Sequence, residues 1–294
     1  MRTLSSCRPG TVRRSLLGLM VGGALLTLAG MPAASAKEWD TIRFATEGAF
    51  PPYNFTKPDG TLGGFEIDFV QDICRRIKAK CEVVAQNWDG IMPGLTGGKY
   101  DAIIAGMAIT AKRREVIDFT VPYVSAPTRF GTLKGGGLED LPGTGARFNL
   151  TTDEAGATAA IDALKARLKG KTLGLQLSTI QADFANTYLK GTVEIRSYKT
   201  SDDILLDLAA GRVDAMLASA ANIQAAIDKP GGQDLVFTGP GFGGGVIGIG
   251  TGIGVRKTDP ELLALLDGAI KDARADGTIA RLSTQWFKLD LTPR

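Results

Sequence analysis

From Thr41 onward, strand-like segments interleave with segments of helical period, and this alternation restricts the fold more than any other feature of the chain. Strands are expected at Thr41–Thr46, Glu82–Ala85, Asp101–Ile109, Thr172–Gln176, Glu194–Tyr198 and Asp214–Ala218. Helices are expected between them at Glu66–Lys78, Asp89–Thr96, Ala157–Leu168, Gln181–Leu189 and Asp203–Ala209. Strands joined through helices make βαβ units, so this is an α/β protein with mostly parallel sheets flanked by helices. The plan also repeats. Leu95-Thr-Gly-Gly-Lys-Tyr-Asp-Ala-Ile-Ile-Ala-Gly106 lines up with Leu208-Ala-Ala-Gly-Arg-Val-Asp-Ala-Met-Leu-Ala-Ser219 at an offset of 113 residues. Each has a helix end, a glycine, a basic residue and then Asp-Ala opening an apolar strand. An offset of one domain's length implies two lobes of related plan, each with its own sheet. In open α/β sheets ligands bind beyond the carboxyl ends of the strands. That rule points to Ala105–Thr110 in one lobe and Ser219 in the other, on opposite walls of a cleft.

The first 36 residues have a different grammar. Arg2, Arg8, Arg13 and Arg14, unopposed by any acid, precede an apolar run from Leu16 to Met31, Pro32 and the small-x-small site Ala34-Ser35-Ala36. This is the pattern of a secretory signal peptide cleaved after Ala36; an uncleaved anchor is the other reading of such a run. No later stretch is long and apolar enough to cross a bilayer. Lys+Arg outnumber Asp+Glu by 34 to 31 over the whole chain. Cleavage removes four arginines and Cys7, leaving a nearly neutral chain in which nothing argues for nucleic acid.

The 294 residues include no histidine. Ser-His-Asp and Cys-His catalysis, His-ligated zinc and imidazole acid–base chemistry are therefore excluded. No cofactor and no metal are expected. In an oxidising compartment Cys74 and Cys81 form a disulfide by default. Phe65, Phe69, Ile73 and Ile77 mark the buried face of a helix holding Cys74. Seven residues of unbroken helix would separate the two Cα atoms by roughly 10 Å, too far to bridge. The helix must end near Lys78–Lys80 and let Cys81 fold back.

Several short motifs lead nowhere. Gly239-Pro-Gly-Phe-Gly-Gly244 matches a dinucleotide pattern but contains Pro240 and runs into more glycines, not a helix, so it is expected to be a flexible crossing segment. Asn54-Phe-Thr56 and Asn149-Leu-Thr151 are glycosylation sequons that matter only in a eukaryotic secretory route. Gly135–Ala146 is expected to be a loop, with Thr151–Gly156 capping the next helix.

Longer motifs follow one another in order: Ala45-Thr-Glu-Gly-Ala-Phe-Pro-Pro-Tyr-Asn-Phe55, Gly64-Phe-Glu-Ile-Asp68, Trp88-Asp-Gly-Ile-Met-Pro93, Ile109-Thr-Ala-Lys-Arg113, Thr251-Gly-Ile-Gly-Val-Arg256 and Asp276-Gly-Thr. With the Cys-x6-Cys pair, they resemble periplasmic solute-binding proteins of polar amino-acid ABC importers, family 3. The similarity is strongest to the branch binding lysine, arginine and ornithine or the opines octopine and nopaline. It implies a type II periplasmic binding protein clamshell with two hinge crossings. Lobe 1 would comprise residues 37–127 and 250–294, lobe 2 residues 128–249, and the crossings would lie near Ser125–Phe130 and Gly245–Gly252. It also implies a monomeric periplasmic receptor that closes on a small ligand and delivers it to an inner-membrane ABC permease.

The resemblance assigns roles residue by residue, each beside a plainer reading. Arg113 matches the arginine that holds the ligand α-carboxylate, although Lys112-Arg113-Arg114 alone reads as a solvated basic face. Trp88 and Phe50 match the aromatics flanking the ligand side chain; alone they read as core or rim residues. Glu47 stands where relatives direct an acid at the cationic end of the ligand, the plainer reading being a surface carboxylate. Gln176, Ser178, Thr179 and Gln181 fall in the loop that supplies donors to the ligand carboxylate, and equally suit a helix cap. Ala105, Gly106 and Ala108 replace serines common in lysine/arginine binders. Ser219 replaces the aspartate that pairs with the ligand α-ammonium; Asp202, Asp203 and Asp214 are candidates to compensate, at spacings that do not favour them. These departures suggest a ligand with a cationic tail, a carboxylate and a substituted or missing α-ammonium, a description that an opine-like N-carboxyalkyl amino acid fits. An enzyme on the same scaffold, dehydratase-like with Glu47 as its acid, and a sensor docking on a receptor are the alternative functions.

Overall fold

The computed structural model describes residues 39–288 and 290–293; the signal expected at 1–36 lies outside them. The first strand, β1 (Thr41–Thr46), buries all but Thr41 and Arg43. A small antiparallel meander follows, β2 (Ala49–Phe50), β3 (Asn54–Thr56) and β4 (Leu62–Gly63). Helix α1 (Phe65–Ile77) then packs Phe65, Phe69, Val70 and Ile73 inward. It stops where expected: Lys78 takes a left-handed conformation and its N–H caps the Cys74 carbonyl. The reversal brings Cys81, on β5 (Lys80–Ala85), to a Cα–Cα distance of 6.1 Å from Cys74, and the two are disulfide-bonded. Removing this short cross-link with paired Cys→Ser changes is expected to cost about 2–3 kcal/mol, read as a lowered urea midpoint in oxidised protein. A midpoint equal to the wild type would mean the bridge constrains nothing that the helix and strand do not already hold.

Helix α2 (Trp88–Thr96) leads into β6 (Ala102–Ile103), a single turn α3 (Ala111–Arg114) and β7 (Asp118–Phe119). The next segment belongs to a second sheet: β8 (Thr128–Leu133), β9 (Arg147–Asn149), α4 (Glu154–Leu168), β10 (Thr172–Gln176) and α5 (Ile180–Phe184). It continues through β11 (Glu194–Tyr198), α6 (Ser201–Ala209), β12 (Ala215–Ser219), α7 (Ala220–Asp228) and β13 (Leu235–Gly243). The chain then returns to the first sheet as β14 (Gly254–Val255) and ends in α8 (Pro260–Ala275) and α9 (Thr278–Phe287). Strand order is β5-β1-β6-β14-β7 in one sheet and β11-β10-β12-β8-β13-β9 in the other. The chain thus passes between sheets twice, from Phe119 to Thr128 and from Gly243 to Gly254.

The internal echo has a physical basis in this topology. β1 lies in parallel between β5 and β6, and β10 lies in parallel between β11 and β12. In both sheets the repeated aspartate precedes the third of these strands and pins its neighbour. Asp101 accepts the Arg43 N–H at 3.0 Å, and Asp214 accepts the Thr172 N–H at 2.8 Å. Each carboxylate satisfies a donor at a strand entrance, so the sequence repeat is a repeated register device.

Three expectations need correction. Asp101–Ile109 is not one strand: its ladder breaks after Ile103, Gly106 at φ 62° turns the chain, and a single bridge from Ala108 to Thr251 follows. The Gly239–Gly244 run is not a flexible crossing segment: up to Gly243 it is the end of β13, buried and paired between β8 and β9. The helix expected over Gln181–Leu189 splits into α5 and a π-helical turn, Ala185–Leu189. The expected cap before α4 is present, Asp153 accepting the Gly156 N–H.

Each sheet has its own interior. Ile42, Phe44, Phe65, Phe69 and Ile73 share a cluster with Leu262, Leu266, Ile270 and Ile279, so the C-terminal helices close the first sheet's core. Phe130, Leu164, Leu173, Leu175, Phe184 and Phe242 fill the second. Among the described residues no helix is long and apolar enough to cross a membrane.

Candidate functional site

A cavity of about 640 Å³ lies between the two sheets, beyond the ends of their parallel strands. One wall carries Glu47 just past β1, Phe50 on β2, Trp88 at the start of α2, Ala105, Gly106 and Ala108 past β6, and Arg113 on α3. The other carries Gln176 at the end of β10, Thr179 and Gln181 around the start of α5, and Ser219 at the end of β12. Of the ligand-contact residues expected from the sequence, all but Ser178 line this cavity; the three aspartates considered in compensation for Ser219 do not.

Ser178 is exposed and sits in the left-handed region at φ 59°. Its contribution is a carbonyl, which accepts the Trp88 indole N–H at 3.2 Å and an Arg113 N–H at 3.4 Å from across the cleft. Thr179 caps α5 with its hydroxyl, accepting the Ala182 N–H and donating to the Gln176 carbonyl, so the plainer reading of that side chain describes its bonding. Gln181 donates to the Thr128 hydroxyl at 2.9 Å. None of Asp202, Asp203 and Asp214 compensates for Ser219. Asp202 pairs with Lys229, Asp203 bonds Thr200, Asp214 pins Thr172, and none lines the cavity.

The walls touch. Gln176 donates to Glu47 at 2.5 Å, Lys112 pairs with Asp183 at 3.1 Å, and the Asn222 amide donates to the Pro51 carbonyl at 3.1 Å. These bonds join elements of different sheets and describe a closed arrangement of the two halves.

Electrostatics single out two residues. Burial pushes the Glu47 carboxyl up to about 7, the negative charge of Glu66 adding to the effect and the Gln176 hydrogen bond opposing it. Burial lowers the Arg113 guanidinium to about 10, with Asp183 opposing. Arg113 lies over the Trp88 ring at 5.2 Å and donates to the Ala108 carbonyl at 2.9 Å. Among the described residues it has no carboxylate in salt-bridge contact. Ser219 Oγ, beside the Tyr53 phenol, is buried without a well-formed hydrogen bond.

Sequence reading missed a whole arm of the cavity. Arg147, Phe148, Asn149, Thr151, Thr152 and the glycines Gly241, Gly243, Gly244, Gly248 and Gly250 also line it. Ser219 pairs with Thr128, Thr128 with Phe242, and Phe242 with Phe148. At about 4.8 Å per strand, the wall from Ser219 to Phe148 is about 14 Å long. Asn149 holds this arm by accepting the N–H groups of Thr151 and Thr152, and Thr151 accepts the Gly245 N–H. The Asn149-Leu-Thr151 sequon and the glycine-rich run, both set aside in the sequence, meet here as one wall. The available signal was an arginine and an aromatic beside hydroxyl residues just ahead of a helix. Glu47 is the only acidic residue lining the cavity among the described residues, against Arg113 and Arg147. No group of three or more acidic, cysteine or histidine side chains positioned to hold a metal ion occurs among them.

Residues 42–289 match the model of the bacterial extracellular solute-binding proteins, family 3. The chain belongs to that family. This family 3 protein is 42% identical over 288 residues to the octopine-binding periplasmic protein of Rhizobium meliloti, covering 92% of the chain and 97% of that relative. It is 31% identical to the L-arginine-binding protein of Pseudomonas aeruginosa, over 92% and 96% of the two chains. Among solved structures it resembles a periplasmic His/Glu/Gln/Arg/opine family-binding protein from Silicibacter pomeroyi in complex with lysine. That match has a TM-score of 0.67 at 31% identity and covers 85% of this chain and 99% of that one. The fold is therefore the two-lobed type II periplasmic binding protein clamshell, and these relatives are binding proteins.

Proposed function

We propose that this protein is the periplasmic receptor of an ABC importer and that its ligand is an opine-like N-carboxyalkyl derivative of a basic amino acid. One observation carries the reading: among the described residues the cavity is lined by one acidic residue, Glu47, and by two arginines, Arg113 and the exposed Arg147. A free basic amino acid has the opposite need, two cationic groups and one carboxylate. A ligand with a cationic tail, two carboxylates and a substituted amine matches the charges. Glu47 takes the cationic tail between Phe50 and Trp88, Arg113 the α-carboxylate, and Arg147 the second carboxylate at the far arm. Ser219 accepts from the substituted amine, where no acid stands. The relative named as octopine-binding supports the same reading.

Capture follows from closure. A ligand touching both walls binds the closed state better than the open one and shifts the population by that difference. The closed form is then what the membrane permease reads. Titration calorimetry with octopine, nopaline, arginine, lysine and ornithine tests the assignment. Octopine or nopaline is expected to bind at least about 100-fold more tightly than lysine, a difference near 2.7 kcal/mol. Tight lysine binding without opine binding overturns it.

A further inference from the structure

Glu66, in the first turn of α1, is a fully buried carboxylate that does not line the cavity and takes no part in the capture just described. Three donors converge on it. Oε1 accepts the Gly106 N–H at 2.7 Å and the Tyr123 hydroxyl, and Oε2 accepts the Asn54 amide at 2.7 Å. Asn54, also fully buried, passes the bond on, its Oδ1 accepting the Gly48 N–H at 2.7 Å. Both terminal glycines lie in the left-handed region, Gly48 at φ 73° and Gly106 at φ 62°. Gly48 directly follows Glu47. A Cβ on Gly106 would come within 2.8 Å of the Phe50 ring, which itself stacks on Tyr53. One side chain thus anchors three separate pieces of the first wall.

We propose that Glu66 is the positioning residue of the cleft, setting through Asn54–Gly48 and through Gly106 the placement of Glu47 and Phe50 against a cationic ligand. The inference rests on the reading that Glu47 receives that cation. The direction of each bond makes it specific. Glu66→Gln keeps an acceptor for Gly106 but turns a donor toward the Asn54 amide; flipping Asn54 only moves the donor–donor conflict to the Gly48 N–H. Asn54→Asp sets two acceptors against each other instead. The double variant Glu66→Gln/Asn54→Asp restores all the bonds. The amide introduced on α1 donates to the carboxylate introduced on β3, and that carboxylate still accepts the Gly48 N–H.

Amide exchange at Gly48 and Gly106, followed by NMR on the unliganded protein, tests the relay. Either single variant is expected to speed Gly48 exchange about tenfold, with recovery in the double variant. L-arginine and octopine affinities are expected to fall about tenfold and recover in parallel, while affinity for citrulline, the neutral isostere of arginine, changes little. If Glu66→Gln does not fold, Asn54→Asp against the double variant carries the same comparison. Unchanged Gly48 exchange in the single variants, no rescue in the double, or altered exchange with unaltered affinities overturns the proposal. Wild-type protein that binds neither arginine nor octopine overturns the functional reading and the role in capture, while exchange alone still decides the relay.

Discussion

Arg113→Ala is expected to weaken octopine or arginine capture about 10²–10³-fold, some 3–4 kcal/mol, with the melting temperature unchanged or slightly raised. The guanidinium is mostly buried, lowered to about 10 by that burial, and supported by two backbone carbonyls and the Trp88 face. Without a ligand carboxylate its charge is incompletely compensated, so deleting it relieves a desolvation penalty in the free protein. With a ligand carboxylate present, the same desolvation strengthens a bidentate pair. Arg113→Lys is expected to recover little, because an ammonium cannot keep the carbonyl contacts and fork a carboxylate together. Calorimetry beside thermal unfolding separates the two effects. An Arg113→Ala protein binding within threefold of wild type would remove this residue from the site.

Glu47→Gln is expected to abolish the pH dependence of capture. In the closed arrangement without ligand, burial raises the Glu47 carboxyl to about 7. A cationic tail placed against it favours ionisation, so binding near neutral pH releases a proton. Affinity for a cationic ligand then falls by up to tenfold per pH unit below 7, about 100-fold between pH 8 and pH 5. The neutral variant should lose about 100-fold at pH 8 and little at pH 5. The stability effect has the opposite sense. A carboxyl raised from 4.5 to about 7 favours the fold while protonated, below the ordinary carboxyl range, and loses that advantage as pH rises through 7. Glu47→Gln should therefore stabilise the unliganded protein at pH 8, by an amount on the order of 3 kcal/mol. Calorimetry in buffers of different ionisation enthalpy counts the proton; equal pH profiles for wild type and variant would show that Glu47 does not meet the cation.

Much of the molecule was legible before any coordinates. Period-two and period-four patterns record which face of an element is buried, so the alternating plan, the end of α1 at Lys78 and the Cys74–Cys81 turn followed from local spacing. The Asp101 and Asp214 repeat was visible as letters, and its meaning as a strand anchor needed the neighbouring strand. Elements whose form depends on distant partners were read less well. Asp101–Ile109 is apolar throughout most of its length, yet its ladder breaks after Ile103 and resumes only as a bridge from Ala108 to Thr251, with Gly106 between them in the left-handed region and bonded to the Glu66 carboxylate.

The site divides in the same way. Glu47, Phe50, Trp88 and Arg113 stand out in the sequence because each follows a strand end or opens a helix within a recognisable motif. Arg147, Asn149 and the Gly241–Gly250 segment carry no such mark, being far apart along the chain and joined through the β13–β9 pairing and the Gly245–Thr151 hydrogen bond. Chain order and side-chain chemistry determined that this is an α/β protein of two repeated halves with one disulfide and a cleft at its strand ends. Tertiary structure alone added Arg147 to the charges lining that cleft and decided the length of its far wall, because both arise from strand pairing between segments that the sequence keeps apart.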